Sequence, residues 1–216
     1  MLDDPQIERY ARHILLQEVG GVGQEKILSS RIHVSGLGEV GCWAVTYLGL
    51  AGVGRLILSD PRPVPATGLL PLLGAEDSGR PRDRAAASAL SAFNPDVAAS
   101  IETSSARITD DSTELWLGEG PVLVAAAAGE AAVVGWLEPG ARLPCSACPP
   151  LRPGLPASPE AASLAGSLAA SRALAAILGI EAPVAGLWAW DGGAASSLPA
   201  CNHEPVASGA CITAGA

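Results

Sequence analysis

The strongest constraint on this chain is the run Gly36-Leu37-Gly38-Glu39-Val40-Gly41, which sits between a predicted strand over 31–35 and a predicted apolar helix over 42–51 that stops at Gly52. Glycines at such a junction let the backbone approach a phosphate, and the free amides of a helix start attract its charge. A second predicted strand, 55–59, ends on Asp60, about 20 residues after the last glycine, where a carboxylate is placed to hold ribose hydroxyls. Strand, glycine loop, helix and strand form a βαβ unit, the building block of a parallel sheet. The predicted class is therefore α/β with a Rossmann-like, mainly parallel sheet. Gly36, Gly38, Glu39, Gly41 and Asp60 are the candidate nucleotide-binding residues. The competing reading of the same loop is tight strand-to-helix packing in a site without a ligand.

Around this unit the pattern is that of one domain over 1–216, divided into an N-terminal helical arm (1–30), a nucleotide-binding-type core (31–143) and a cysteine-containing C-terminal part (144–216). Ile7, Tyr10, Ala11, Ile14 and Leu15 recur at helical spacing over 5–18, with Asp4 as N-cap and Pro5 as first helical residue. A short polar helix is expected near 24–28. Prolines at 61, 63, 65, 71 and 81 make 61–81 a loop with at most a turn of helix. Helix returns over 83–93 and ends at Asn94-Pro95. Strands are expected over 97–102 and 121–125, continuing the α/β alternation, and Asp110, Asp111 and Glu114 read as the N-terminus of a solvent-facing helix. A small-residue helix over 160–178, closed by Gly179, permits close approach of another helix. The last expected strand is 187–190, where Trp188 and Trp190 alternate and suit core or dimer packing.

Composition narrows the partners. With 49% hydrophobic and 16% charged residues among 216, the chain folds rather than remaining disordered. Aromatics supply only 4%, so the core is built of small side chains. A net charge of −9 gives no basic surface for nucleic acid. The nearest approach to a bilayer span, 122–137, is broken by Gly129 and Glu130, and the N-terminus lacks a signal-peptide pattern. No membrane association and a cytoplasmic location are the expectations. Five cysteines at 42, 145, 148, 201 and 211 are a poor disulfide framework and point to metal ligation or inert burial; Cys42, inside the helix after the glycine loop, reads as core. His13 and His33 read as structural.

Four stretches taken together resemble the ThiF/MoeB family of carrier-protein adenylyltransferases, bacterial relatives of ubiquitin-activating enzymes. They are Arg9-Tyr10-Ala11-Arg12-His13-Ile14, Gly23-Gln24-Glu25-Lys26, the glycine loop, and Ala51-Gly52-Val53-Gly54 before the strand ending in Asp60. Phe93-Asn94-Pro95 extends the likeness, and Pro144-Cys145-Ser146-Ala147-Cys148 with the helix around Gly166 resembles the family's zinc knuckle and the helix after it. The resemblance implies MgATP as cofactor, adenylation of the C-terminal glycine of a ubiquitin-like or sulfur-carrier protein, and a C-terminal zinc-knuckle-like tail. Cys145, Cys148 and Cys211 match three zinc ligands, with Cys201 or His203 as the fourth.

The same resemblance exposes losses. Where the family carries Asn-x-x-Arg-Gln after the second strand, this chain has Thr67-Gly68-Leu69-Leu70-Pro71-Leu72; the family's basic residue on the next helix falls to Arg82 or Arg84. Where it carries Asp-x-x-Asp after a later strand, this chain has Ala125-Ala126-Ala127-Ala128-Gly129, without an oxygen ligand for Mg²⁺. The segment 131–144 is read as a shortened loop with no cysteine nucleophile. Arg12 matches the arginine that members lend to the partner subunit's ATP site. The expectation is a degenerate member, homo- or heterodimeric, that serves as partner of a carrier protein or of a related active subunit. The alternatives are an active adenylyltransferase using Arg80, Arg82 or Arg84, and, from another class, a nicotinamide or flavin oxidoreductase.

Overall fold

The computed structural model describes residues 1–102, 112–118, 120–138 and 155–198, with the backbone of 204–205 and 211–212. The N-terminal arm is three helices, α1 (Asp4–Arg9), α2 (Ala11–Ile14) and α3 (Gly20–Ser29). The cap of α1 is Asp3 rather than Asp4. The Asp3 carboxylate accepts from the Gln6 amide at 2.9 Å while Gln6 Oε1 accepts from the Asp3 amide at 3.2 Å, a reciprocal capping box. The single helix expected over 5–18 is broken at Tyr10 (φ −103°, ψ 15°). Its ring is buried, and its hydroxyl meets Asn94 Nδ2 at 3.1 Å and Asp96 Oδ2 at 3.0 Å. Seating this aromatic against the body of the domain outweighs continuing the helix. Gln24, fully buried, completes the join: its Oε1 lies 3.1 Å from His13 Nδ1 and its Nε2 donates to the Ala51 carbonyl at 2.9 Å.

The core begins as expected with β1 (Arg31–Ser35), α4 (Glu39–Ala51), β2 (Arg55–Ser59), α5 (Arg82–Phe93) and β3 (Ala98–Ile101). Between β2 and α5 the proline-rich loop holds one 3₁₀ turn, Ala75–Asp77, and tucks Val64, Leu69 and Leu73 into the core. Five more strands follow in the main sheet: β4 (Ser112–Trp116), β5 (Val122–Ala128), β6 (Ala131–Leu137), β7 (Gly186–Trp190) and β8 (Ala195–Leu198), with α6 (Pro159–Leu178) between β6 and β7. The order is β3-β2-β1-β4-β5-β6-β7-β8. Only the β3/β2 and β2/β1 pairs are parallel; every pair from β1/β4 to β7/β8 is antiparallel.

The mainly parallel sheet expected from the first βαβ unit is thus corrected to a mixed, mostly antiparallel one. Parallel pairing needs a long crossover, whereas antiparallel strands are joined by short turns. Gly129 (φ 55°) and Glu130 turn β5 into β6, and 191–194 turn β7 into β8. The break seen in the apolar run 122–137 is therefore a hairpin, and half of the segment 131–144 read as a loop is strand β6. Glu114 lies in β4 and not at a helix start. Asp110 and Asp111 are outside the described residues.

Beyond β8 the described residues form a two-stranded ribbon, β9 (Glu204–Pro205) with β10 (Cys211–Ile212). No zinc knuckle is evident there, which corrects the expected C-terminal tail. Among the described residues no three His, Cys, Asp or Glu side chains are gathered to hold a metal. Cys145, Cys148, Cys201 and His203 lie outside the described residues, and of Cys211 only the backbone is described.

Helices α3, α4, α5 and α6 bury one contiguous cluster with Ile32, Val34, Leu56, Leu58, Leu115, Leu123 and Trp136 of the sheet. A smaller cluster, with Val124, Val133 and Leu187, forms on the other face. Among the described helices α6 is long and apolar enough to cross a bilayer, but it packs along α4, β5 and β6 and buries Ala161, Ala162, Ala165, Ala169, Ala170 and Ala173. The two helices touch through Gly166, where a Cβ would stand 2.4 Å from the Val40 carbonyl oxygen and 2.5 Å from Trp43 Cβ. The small-residue stripe serves close packing within the chain. Trp188, by contrast, is 54% exposed and is no core residue. Because the obstacle at Gly166 is backbone, Gly166→Val must push α6 off α4. Urea unfolding is expected to show a loss of about 1–3 kcal/mol, while Ser163→Ala, on the exposed side of α6, changes stability by less than about 0.5 kcal/mol.

Candidate functional site

The glycine loop lies where β1 ends. Gly36 has φ 93°, Gly38 is the N-cap of α4, and α4 closes on Gly52 in the left-handed region. A Cβ on Gly41 would stand 1.9 Å from the Gly36 carbonyl oxygen, so the first turn of α4 lies directly on the end of β1. The helix also opens with Glu39, whose negative charge sits in the turn where a phosphate would be drawn.

Asp60, the predicted ribose ligand, is 1% exposed and already engaged. Its Oδ2 accepts from the Leu37 amide at 2.8 Å and from Arg62 Nη2 at 2.6 Å. Its Oδ1 accepts from Arg62 Nε at 2.8 Å and from the Arg62 amide at 3.2 Å. Burial pushes the carboxyl pKa up, but the Arg62 hydrogen bonds, the Leu37 amide and the charges of Arg62 and Arg82 outweigh it, and the group is held below the usual carboxylate value. Asp60 is joined to the next helix too, through Asp83 N–H donating to the Asp60 carbonyl at 3.1 Å.

Arg82 is buried and points into this network. Its Nε donates to the Pro63 carbonyl at 3.1 Å and its Nη1 lies 3.7 Å from Asp60 Oδ2. It braces the proline-rich loop against the carboxylate, which accounts for its burial better than phosphate binding does. Arg80 pairs with Asp77 and reaches Ser88 Oγ at 3.3 Å. Arg84 and Arg12 are exposed, and neither side chain makes a hydrogen bond or ion pair with a described residue. In the arginine-rich N-terminal motif, Tyr10 and His13 therefore face inward while Arg12 faces out.

Strand β4 changes the crevice beside β1. Register places Ser35 opposite Glu114 and Glu114 opposite Val124, so β5 runs in the direction of β1, two strand spacings or roughly 10 Å away. Residues 125–128 of β5 consequently continue past the level of Ser35, along the sheet edge that carries the glycine loop. Ala125, Ala126 and Ala127 are buried methyls. Between β1 and β5, Thr113 Oγ1 donates to the Ser35 carbonyl at 3.2 Å and approaches Gly41. Among the described residues, the groups at the end of β5 do not fit a Mg²⁺ ion. The neighbouring carboxylate, Glu130, is exposed and accepts from Ser158 Oγ at 3.3 Å. Glu114 is half-buried and its pKa is raised by that burial.

Sequence reading missed Arg62 and Thr113. Arg62 had a signal, because Asp60-Pro61-Arg62-Pro63 stiffens a turn in which residue 62 folds back on the Asp60 carboxylate; Thr113 had none before the strand order was known. Cys42 is buried beneath the loop with its thiol pushed up to about 12 by burial, an inert core group.

The two carboxylates have opposite pH signatures. Asp60, lowered in the folded state, contributes stability that is fully present above the unfolded value of about 3.9 and is lost as pH falls through the lowered one. Asp60→Asn should flatten that acid limb of the unfolding free energy against pH. Glu114, raised in the folded state, contributes stability at low pH that is lost as pH rises through its raised value. Glu114→Gln should therefore stabilise the protein near neutrality, with the gain vanishing below pH 4, in urea titrations across pH 3–8.

Comparison with known proteins agrees with the geometry of the first 130 residues. A ThiF family profile matches residues 10–132, more than half of the chain. The SAMP-activating enzyme E1 of Haloferax volcanii is 40% identical over 109 residues, covering 50% of this chain and 40% of that one. The molybdopterin-synthase adenylyltransferase of Salmonella typhimurium is 38% identical over 125 residues, 56% of this chain and 49% of its own. The Escherichia coli sulfur carrier protein ThiS adenylyltransferase is 38% identical over 98 residues, 44% and 39% of the two chains. The chain thus spans about half or less of the length of these relatives. Among solved structures, E. coli MccB with ATP aligns at TM-score 0.67 and 16% identity over 88% of this chain and 71% of that one. PaaA aligns at TM-score 0.68 and 18% identity over 91% and 74%; both likenesses concern the fold alone. The profile match over residues 10–132 shows that this chain belongs to the ThiF family, and it is related to adenylyltransferases of ubiquitin-like and sulfur-carrier proteins.

Proposed function

We propose that this chain is a ThiF-type subunit that docks a ubiquitin-like or sulfur-carrier protein, or a related active adenylating subunit, within a homo- or heterodimer, and does not itself activate ATP efficiently. The observation that carries this reading is the end of β5. Residues 125–128 bring only methyl groups to the sheet edge that bears the glycine loop.

A triphosphate transition state needs cations and a metal to take up charge on the departing pyrophosphate. Arg82 and Arg80 are drawn into contacts with Asp60 and Asp77, which weighs against the reading in which they rebuild the phosphate site. The exposed guanidinium of Arg12 supports a contribution to a partner's site in place of one to its own. The nicotinamide or flavin reading has no use for the clamped N-terminal arm and is not carried further.

Carrier-dependent pyrophosphate exchange tests this. The purified chain alone should give no exchange above background, and the complex it forms with an active ThiF-family subunit should exchange. Arg12→Ala should lower exchange by that complex tenfold or more while leaving the chain's own stability within about 0.5 kcal/mol, as befits an exposed side chain. Robust exchange by the chain alone, or an unaffected complex, contradicts the reading.

A further inference from the structure

A carboxylate offers about four acceptor positions, and at Asp60 four donors fill them: the Leu37 amide, the Arg62 amide, Arg62 Nε and Arg62 Nη2. Two of the four are backbone groups that hold the glycine loop and the start of the proline-rich loop. The other two belong to one side chain, and that side chain is 32% exposed, against 7% for Arg82. The only donors that can leave Asp60 without opening the loops are thus the paired N–H groups of Arg62. They are also laid out as a fork on two oxygens, the arrangement that the vicinal hydroxyls of a ribose would have to adopt.

We propose that Arg62 is an internal occupant of a ribose subsite: its guanidinium takes on Asp60 the acceptor positions that a nucleoside's 2′- and 3′-hydroxyls require, and so sets how tightly this site holds a nucleoside. The proposal rests on reading the crevice as nucleoside-binding and adds to it a named competitor within the chain. When a ribose displaces the fork, Arg82 Nη1, 3.7 Å from Oδ2, remains as counter-charge, so the carboxylate is not left bare in a buried setting. The Pro61 and Pro63 that flank Arg62 restrict its backbone, so the side chain returns to the carboxylate when the sugar departs. Arg62 acts here as a specificity-determining residue and touches no reacting atom.

A neutral nucleoside isolates the sugar from any phosphate effect. Adenosine and 2′,3′-dideoxyadenosine are titrated into the full-length wild type, Arg62→Ala, Arg62→Gln, Arg62→Lys and the double variant Asp60→Asn/Arg62→Ala, followed by protein NMR shifts that also report folding. Arg62→Ala and Arg62→Gln should bind adenosine at least fivefold more tightly than wild type and dideoxyadenosine no more tightly. Arg62→Lys, which cannot fork, should fall between, and the double variant should lose the gain. Equal or weaker adenosine binding in both folded Arg62 variants, or an equal gain for the dideoxy compound, overturns the proposal while the nucleoside reading stands. Absence of adenosine binding at millimolar concentration in every variant overturns both.

Discussion

The buried carboxylate of Asp60 ties together the segments that matter most in this domain. It receives the glycine loop through Leu37, the start of the proline-rich loop through Arg62, and the first turn of α5 through Arg82. The Leu37 and Arg62 contacts are charge-assisted hydrogen bonds, which contribute more than neutral ones, and Arg82 adds its charge from 3.7 Å. The Asp60 side chain that could serve a ligand is spent on holding the loops around it. A buried charge of this kind must be paired to be tolerated. In this chain the pairing comes from within.

The rest of the architecture follows from small side chains. Alanine-rich β5 and β6 and the alanine face of α6 let sheet and helix approach closely, and Gly166 lets α6 touch the backbone of α4. Each residue buries little area, so stability depends on the number of close contacts more than on a few large groups. The exceptions are Tyr10 and Trp136, both buried. Tyr10 joins the N-terminal arm to the end of α5, with its hydroxyl at Asn94 and Asp96. The same compactness lines residues 125–128 of β5 with methyl groups, so close packing and the lack of a side-chain oxygen on that stretch have one cause.

The first half of the fold was legible because its signals are local. The glycine loop, the α4 stop at Gly52, the strand ending in Asp60 and the helix ending at Asn94-Pro95 are each set by backbone demands of neighbouring residues. The second half was not. Buried alanine strands show neither period 2 nor period 3.6, and the antiparallel entry of β4 beside β1 depends on pairings far apart in sequence. At the site, Gly36, Gly38, Glu39, Gly41 and Asp60 do come together around the loop. What spacing alone did not reveal is that Asp60 is already taken, since that depends on where the Arg62 side chain turns.

The central question is whether a crevice with its carboxylate occupied, the end of β5 lined by methyls, and Arg80 and Arg82 paired can hold a metal-bound triphosphate. Isothermal titration of the purified chain with ATP in excess Mg²⁺ measures this directly. The expected result is no saturable heat below millimolar ATP; one-to-one binding in the micromolar range, dependent on Mg²⁺, would contradict it.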